Sequence, residues 1–132
     1  MGLPNYTHTE VQRHKTAIRR QGLSVPVRLL LEHGLLDSSR SFLDYGCGRG
    51  HDLLLLGDLG INSDGWDPVH RPDGRCEPSE VVNFGYVINV IEDPVERADA
   101  LLRAWHLAGS VLMVSAQTPY AAVGKDTEAF RP

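Results

Sequence analysis

The stretch "FLDYGCGRGHDLL", residues 42–54, sets a short apolar run, an aspartate and three alternating glycines directly ahead of leucines. A strand that runs into glycines and leaves as a helix brings a ligand against bare backbone at the carboxyl edge of a parallel sheet. Three nucleotide-like ligands compete for that geometry. A triphosphate cradle needs GxxxxGK[ST], and no lysine follows the glycines, so that ligand is excluded. A dinucleotide fingerprint needs GxGxxG, whereas Gly46, Gly48 and Gly50 give GxGxG. The register departs from the dehydrogenase pattern, which disfavours a nicotinamide-dependent oxidoreductase.

Outward from this stretch the chain alternates strand and helix signals. "SFLDY" (41–45) reads as a strand, "HDLLLLGDLG" as a helix ended by Gly60, and "NSDGWDP" as a second, compositionally weak strand broken at Pro68. "VVNFGYVINVI" reads as a buried strand with the start of a helix, "DPVERADALLRAWHLAG" as a helix capped by Asp93 before Pro94, and "SVLMVSA" as a buried strand. Upstream, Ser24 offers a cap and Pro26 a first helical residue for the two-turn helix "VRLLLEHG", closed by Gly34, whose leucines should pack on a sheet. "VHRPDGRCEPSE" (69–80) is a loop by its Pro, Gly and charge content. "EVQRHKTAIRR" (10–20) reads as a short helix ended by Gly22, and the last sixteen residues as a tail. Strands separated by helices imply a parallel sheet, so the fold class is α/β. The chain divides into a basic arm with short helices (1–40), a core (41–116) and the tail (117–132).

A length of 132 residues is one domain's worth, enough to bury roughly 65–70% of the surface of the unfolded chain. Thirteen basic against seventeen acidic side chains give a net charge of −4, which argues against a protein that coats nucleic acid uniformly. The average hides an asymmetry: the first forty residues carry +3 and the remainder −7. Cys47 and Cys76 stand 29 positions apart without a CxxC or a His/Cys ligand grouping, so neither a metal site nor a disulfide framework is expected. No apolar run reaches the roughly 18 residues of a membrane span, and the N-terminus lacks a signal-peptide core, which makes a cytoplasmic setting the expectation.

Asp44, two positions before Gly46, completes DxGxGxG, which resembles the first motif of class I S-adenosylmethionine-dependent methyltransferases. The resemblance implies a Rossmann-like class I sheet and S-adenosylmethionine as cofactor. It also implies roles. Asp44 faces the cofactor's amino-acid portion, and Gly46, Cys47, Gly48 and Gly50 allow close approach of its methionine and ribose. Asp67, 17 positions after Gly50, accepts hydrogen bonds from the ribose hydroxyls. Asn83, Gly85, Tyr86 and Asn89 are the positions bordering the methyl group, of which at most two line the pocket; Asn83 and Gly85 count among the cofactor-binding residues. An acid at this place suits a ligand carrying an ammonium and a sulfonium. Trp66 fits the core better than a shield for the adenine. No [DNS]PP[YFW] motif for amine methylation occurs, and no proline-cysteine nucleophile for carbon-5 chemistry.

"HKTAIRR", "GWDP" and "GYVINVIEDP", taken with the motifs above, resemble the bacterial DNA phosphorothioation-associated methyltransferases over about residues 13–116. That resemblance implies DNA or DNA-modification proteins as partners and does not imply the methyl acceptor. A full class I sheet has seven strands, whereas this sequence has four recognisable ones and then stops; a fragment, a natural short form, or a homodimer that completes the sheet would each account for it. Should the acceptor need a base, His51, His14 and Tyr86 are the candidates. Arg19, Arg20 and Arg49 are suited to phosphate. Two functions follow: a methyltransferase or its cofactor-binding core, and, as the alternative, a non-catalytic cofactor- or partner-binding subunit of a DNA modification or defence assembly.

Overall fold

The structure, a computed structural model, describes residues 22–119; the helix expected over 10–20 and most of the tail lie outside the described residues. In chain order the elements are α1 (Val25–Glu32), β1 (Phe42–Tyr45), α2 (His51–Asp58), β2 (Ser63–Trp66), β3 (Ser79–Gly85), α3 (Val87–Val90), α4 (Pro94–Leu107) and β4 (Ala108–Ser115). The strands form one all-parallel sheet in the order β2-β1-β3-β4. Helices flank it on both faces. The architecture is α/β and is compatible with a Rossmann-like fold.

β1 is central and every one of its residues is buried, because it has a strand on each side and helices on each face. Phe42 packs with Val81, with Val27 and Leu30 of α1 and with Leu53 and Leu56 of α2. Leu43 and Tyr45, on the opposite face, pack with Val82, Phe84 and Ala104 of α4. Alternation along a strand sends neighbouring residues to opposite faces, which is why one four-residue strand serves two cores. The leucine-rich α1 packs on the sheet as its pattern implies, and so shares a core with 41–116.

Ser24 stands at the N-cap position of α1, yet its side chain does not cap that helix. Its amide donates to Asp52 Oδ1 at 2.9 Å and its hydroxyl to Asp52 Oδ2 at 2.7 Å. A carboxylate is a stronger acceptor than the alternatives open to a serine, so the hydroxyl crosses to the first turn of α2. Pro26 is the second residue of α1, one later than expected. Asp93 does cap α4, accepting from the Val95 amide at 3.1 Å.

Two expectations are corrected. β4 is an edge strand, bonded only to β3, and none of its residues is fully buried; an apolar run does not tell a central strand from an edge. β3 begins at Ser79, inside the stretch read as loop. The loop before it is tied down. Asp67 and Arg71 exchange backbone hydrogen bonds of 3.2 and 3.0 Å, Gly74 donates to the Arg71 carbonyl at 3.0 Å, and Gly74 lies against the Gly65 carbonyl. The strap so formed lies along β2.

Gly65 has no room for a side chain, since a Cβ there would meet Cys47 Cβ and Sγ at 2.9 Å and overlap the Leu53 side chain. Gly65→Ala is expected to cost about 1–3 kcal/mol through overpacking. Urea unfolding should show a lower midpoint at unchanged slope; an unchanged midpoint would mean that Cys47 and Leu53 repack freely.

Candidate cofactor site

The chain leaves β1 toward β2 on one side and returns to β3 on the other, so a crevice opens outside their carboxyl ends. Residues 46–50 fill the start of that crevice. Gly46, Gly48 and Gly50 all adopt left-handed φ, 86°, 56° and 83°, where a side chain is costly. The loop is clasped from β2: the Trp66 carbonyl accepts from the amides of Gly46 at 2.8 Å and Cys47 at 3.0 Å. Asp67 Oδ2 accepts from Gly48 at 2.9 Å, and the Gly50 amide bonds the Cys47 carbonyl at 3.0 Å.

Beside the loop lies a cleft of about 680 Å³. Tyr45 and Trp66 form one wall, with ring centroids 5.2 Å apart, and Gly46 and Gly48 the base. Asp67, Glu96 and Asp99 line it together with one arginine, Arg103, which lies 3.4 Å from the Tyr45 hydroxyl. Burial works to raise the Asp67 carboxyl, but the amides of His70, Val69 and Gly48 outweigh it and hold it below its usual range. Asp67 is therefore ionised and the cleft is predominantly acidic. Four loop amides are spent on the protein itself, and Asp52 already sits in the first turn of α2. That combination gives a pyrophosphate little of the amide cradle it uses at a helix N-terminus.

Of the residues singled out in the sequence, Gly46, Gly48, Asp67, Gly85, Tyr86 and Trp66 line this cleft. Trp66 is half-buried, at once packed against Tyr45 and facing the cleft. Asp44 and Asn83 do not line it. They face each other on the α1/α2 side of the sheet, Asn83 Nδ2 donating to Asp44 Oδ1 at 3.1 Å, because they share the strand parity of Phe42 and Val81. Asn83 Oδ1 and Ser115 Oγ are buried without a hydrogen-bond partner. The Cys47 thiol packs into the same core and is pushed up by burial. Gly50 is buried at the start of α2, where Arg71 rather than the cleft adjoins it.

The candidates for a base are separated. Tyr86 lines the cleft with a left-handed φ of 62° and donates its amide to the Ser115 carbonyl at 2.8 Å. His51 is exposed at the start of α2 and borders a different groove. Asn89 is engaged both ways with the Gln117 backbone, at 2.7 and 2.9 Å. His14, Arg19 and Arg20 lie outside the described residues. The sequence reading missed Glu96, Asp99 and Arg103, whose three- and four-residue spacing on α4 was the available signal.

Among the described residues, no helix is long and apolar enough to cross a membrane, and no group of three or more His, Cys, Asp or Glu could hold a metal ion. No family model matches the chain, and neither a curated protein nor a solved structure matches it.

Burial pushes the Asp44 carboxyl up to about 7 from 3.8; the Asn83 hydrogen bond opposes the rise, and Asp52 and Asp67 add to it. The folded chain thus keeps a proton on Asp44 that the unfolded chain releases, and stability falls as pH rises through that window. Asp44→Asn should flatten the fall and gain up to roughly 4 kcal/mol at about pH 8. Urea unfolding of both proteins at about pH 5 and about pH 8 checks this; parallel profiles would remove Asp44 as the cause.

Proposed function

We propose that the chain is the cofactor-binding core of an S-adenosylmethionine-dependent methyltransferase associated with DNA phosphorothioate modification. The observation that carries the cofactor reading is the acidic cleft at the β1/β3 switch point, set between a glycine loop whose amides are already used and an ionised Asp67. A cationic ligand gains from Asp67, Glu96 and Asp99, where a dinucleotide's pyrophosphate would be repelled. The phosphorothioate context rests on the sequence resemblance.

When bound, S-adenosylmethionine supplies a methyl carbon activated by its sulfonium. The chain's own part is to hold and orient. A carboxylate has about four acceptor positions, and backbone amides take three on Asp67. One remains on Oδ2, so Asp67 can take one ribose hydroxyl without releasing Gly48. The half-buried Trp66, backed by the buried Tyr45 ring, offers apolar surface to the adenine, and Gly48 has nothing within 4 Å of the place a Cβ would occupy, which leaves room for close approach. Alignment and exclusion of water by such walls supply much of what an in-line displacement needs.

Calorimetry of the full chain with S-adenosylmethionine, S-adenosylhomocysteine and NAD tests the cofactor. The two sulfur compounds should bind and NAD should not; a folded sample that binds neither sulfur compound would end the reading. Asp67→Ala should weaken S-adenosylhomocysteine binding by about 1–3 kcal/mol, the scale of a hydrogen bond to a charged group. Methyl label offered to phosphorothioated and plain DNA tests the rest. Label on neither, despite tight cofactor binding, would favour a binding subunit.

Tyr86 gives a second handle on the same cleft. A tyrosine at φ 62° carries left-handed strain that glycine lacks. Tyr86→Gly is expected to raise stability by about 1 kcal/mol while lowering S-adenosylhomocysteine affinity, so unfolding midpoint and calorimetric affinity should move in opposite senses. Unchanged affinity would exclude the ring from the binding surface.

A further inference from the structure

The two edges of the sheet are finished differently. β2 is four residues long and has the strap fastened along it. β4 is the longest of the four strands, with eight residues, is bonded to β3 alone, and its sequence AGSVLMVS holds no charge and no proline. Open edges are ordinarily blunted by shortness, charge or proline, because their unpaired N–H and C=O groups otherwise recruit another strand. The irregularity in the pairing of β4 falls opposite Ser79–Val81, at its start, and Val111–Ser115 run in unbroken register.

α4 carries an apolar stripe toward that edge. Glu96, Asp99 and Arg103 line the cleft, whose far wall is Tyr45 and Trp66, so this flank of the helix faces β1. At about 3.6 residues per turn, Ala98, Leu101 and Trp105 fall on the opposite flank, on the side of β4's open edge, with Val95 and Leu102 beside them. Val95, Leu102 and Trp105 are 66%, 55% and 64% exposed. No charged residue interrupts the stripe; Glu92 and Asp93 stand at one end of it and His106 at the other.

Edge and stripe are together self-complementary. α4 touches β3 and β4 alike, so it lies over the line between them. With strands about 4.8 Å apart, a copy of β4 added antiparallel to β4 brings a second α4 alongside at about 10 Å, the distance at which helices pack. α1 spans the same two strands on the other face, so it meets its own copy in the same way. α4 and β4 join at Leu107–Ala108 and run back along each other, and their midpoints both lie roughly 10–12 Å from that junction. One two-fold axis can therefore pass through the middle of both. It sets Val95 against Trp105, Ala98 against Leu102, and the acidic start of each helix beside His106 of the other.

We propose that a second copy of this chain pairs antiparallel with β4 across its open edge, joining two four-stranded sheets into one and burying the stripes of the two α4 helices against each other. The inference is independent of what the cleft binds. The cleft flank of α4 faces away from the axis, so both clefts stay open, at opposite ends of the joined sheet.

Sedimentation velocity of the full chain from about 1 to about 100 µM tests it. The mass should rise to twice the 14.6 kDa of one chain. Trp105→Glu should weaken association at least about 30-fold, the scale of an interface hot spot, and Leu102→Lys should weaken it too, both with unchanged circular dichroism. Leu54→Glu, at a comparably exposed leucine on α2, should leave it unchanged. Glu92→Lys should weaken the dimer and Glu92→Lys with His106→Glu restore it, a rescue that requires antiparallel α4 helices. A single-chain mass throughout the range would overturn the proposal, including the case in which doubling appears only once residues 120–132 are removed, which would make that segment the cover of the edge. So would a dimer that survives both stripe variants, or growth past two chains into open-ended species.

Discussion

One carbonyl oxygen organises the molecule. Trp66, the last residue of β2, accepts two consecutive amides from the loop that follows β1, and so locks the turn of one strand to the end of its neighbour. The next residue, Asp67, repeats the clasp by taking the Gly48 amide and then turns the chain back through Val69 and His70. Loop shape, cleft wall and strap all descend from these two adjacent residues. The same bonds determine chemistry: a loop that spends its donors internally keeps its shape but has few left for an anion.

Much of this is legible in the amino-acid sequence. The runs around 42–45 and 79–85 are strands because both faces of a flanked parallel sheet are buried, and the Asp93–Pro94 pair announces the start of α4 through capping chemistry. What local sequence could not carry was neighbourhood. An apolar run such as that of β4 reads the same in the middle of a sheet as at its edge. Ser24 has the right residue type for a cap, but its better partner, Asp52, lies 28 positions away.

Site residues divide in the same manner. The glycine motif forms the loop between β1 and α2, and Asp67 stands beside it, but distance along the chain does not reveal a face. His51 follows the motif directly and still points to the groove, whereas Tyr86, far away in sequence, borders the cleft. Asn83 and Gly85 are two residues apart on one strand, yet only Gly85, at the strand end, reaches the cleft. Asn83 is held behind the sheet by Asp44, a contact that strand parity explains and composition does not.

On its cleft flank the glycine loop has Asp67, Glu96 and Asp99 against Arg103, an excess of negative charge, whereas on the flank of His51 the arginines Arg49, Arg71 and Arg75 are balanced by Asp64, Asp73 and Glu77. The field around the loop is therefore one-sided. A cation that comes within the roughly 8 Å over which physiological salt screens charge is drawn to the cleft side of the loop and not to the other.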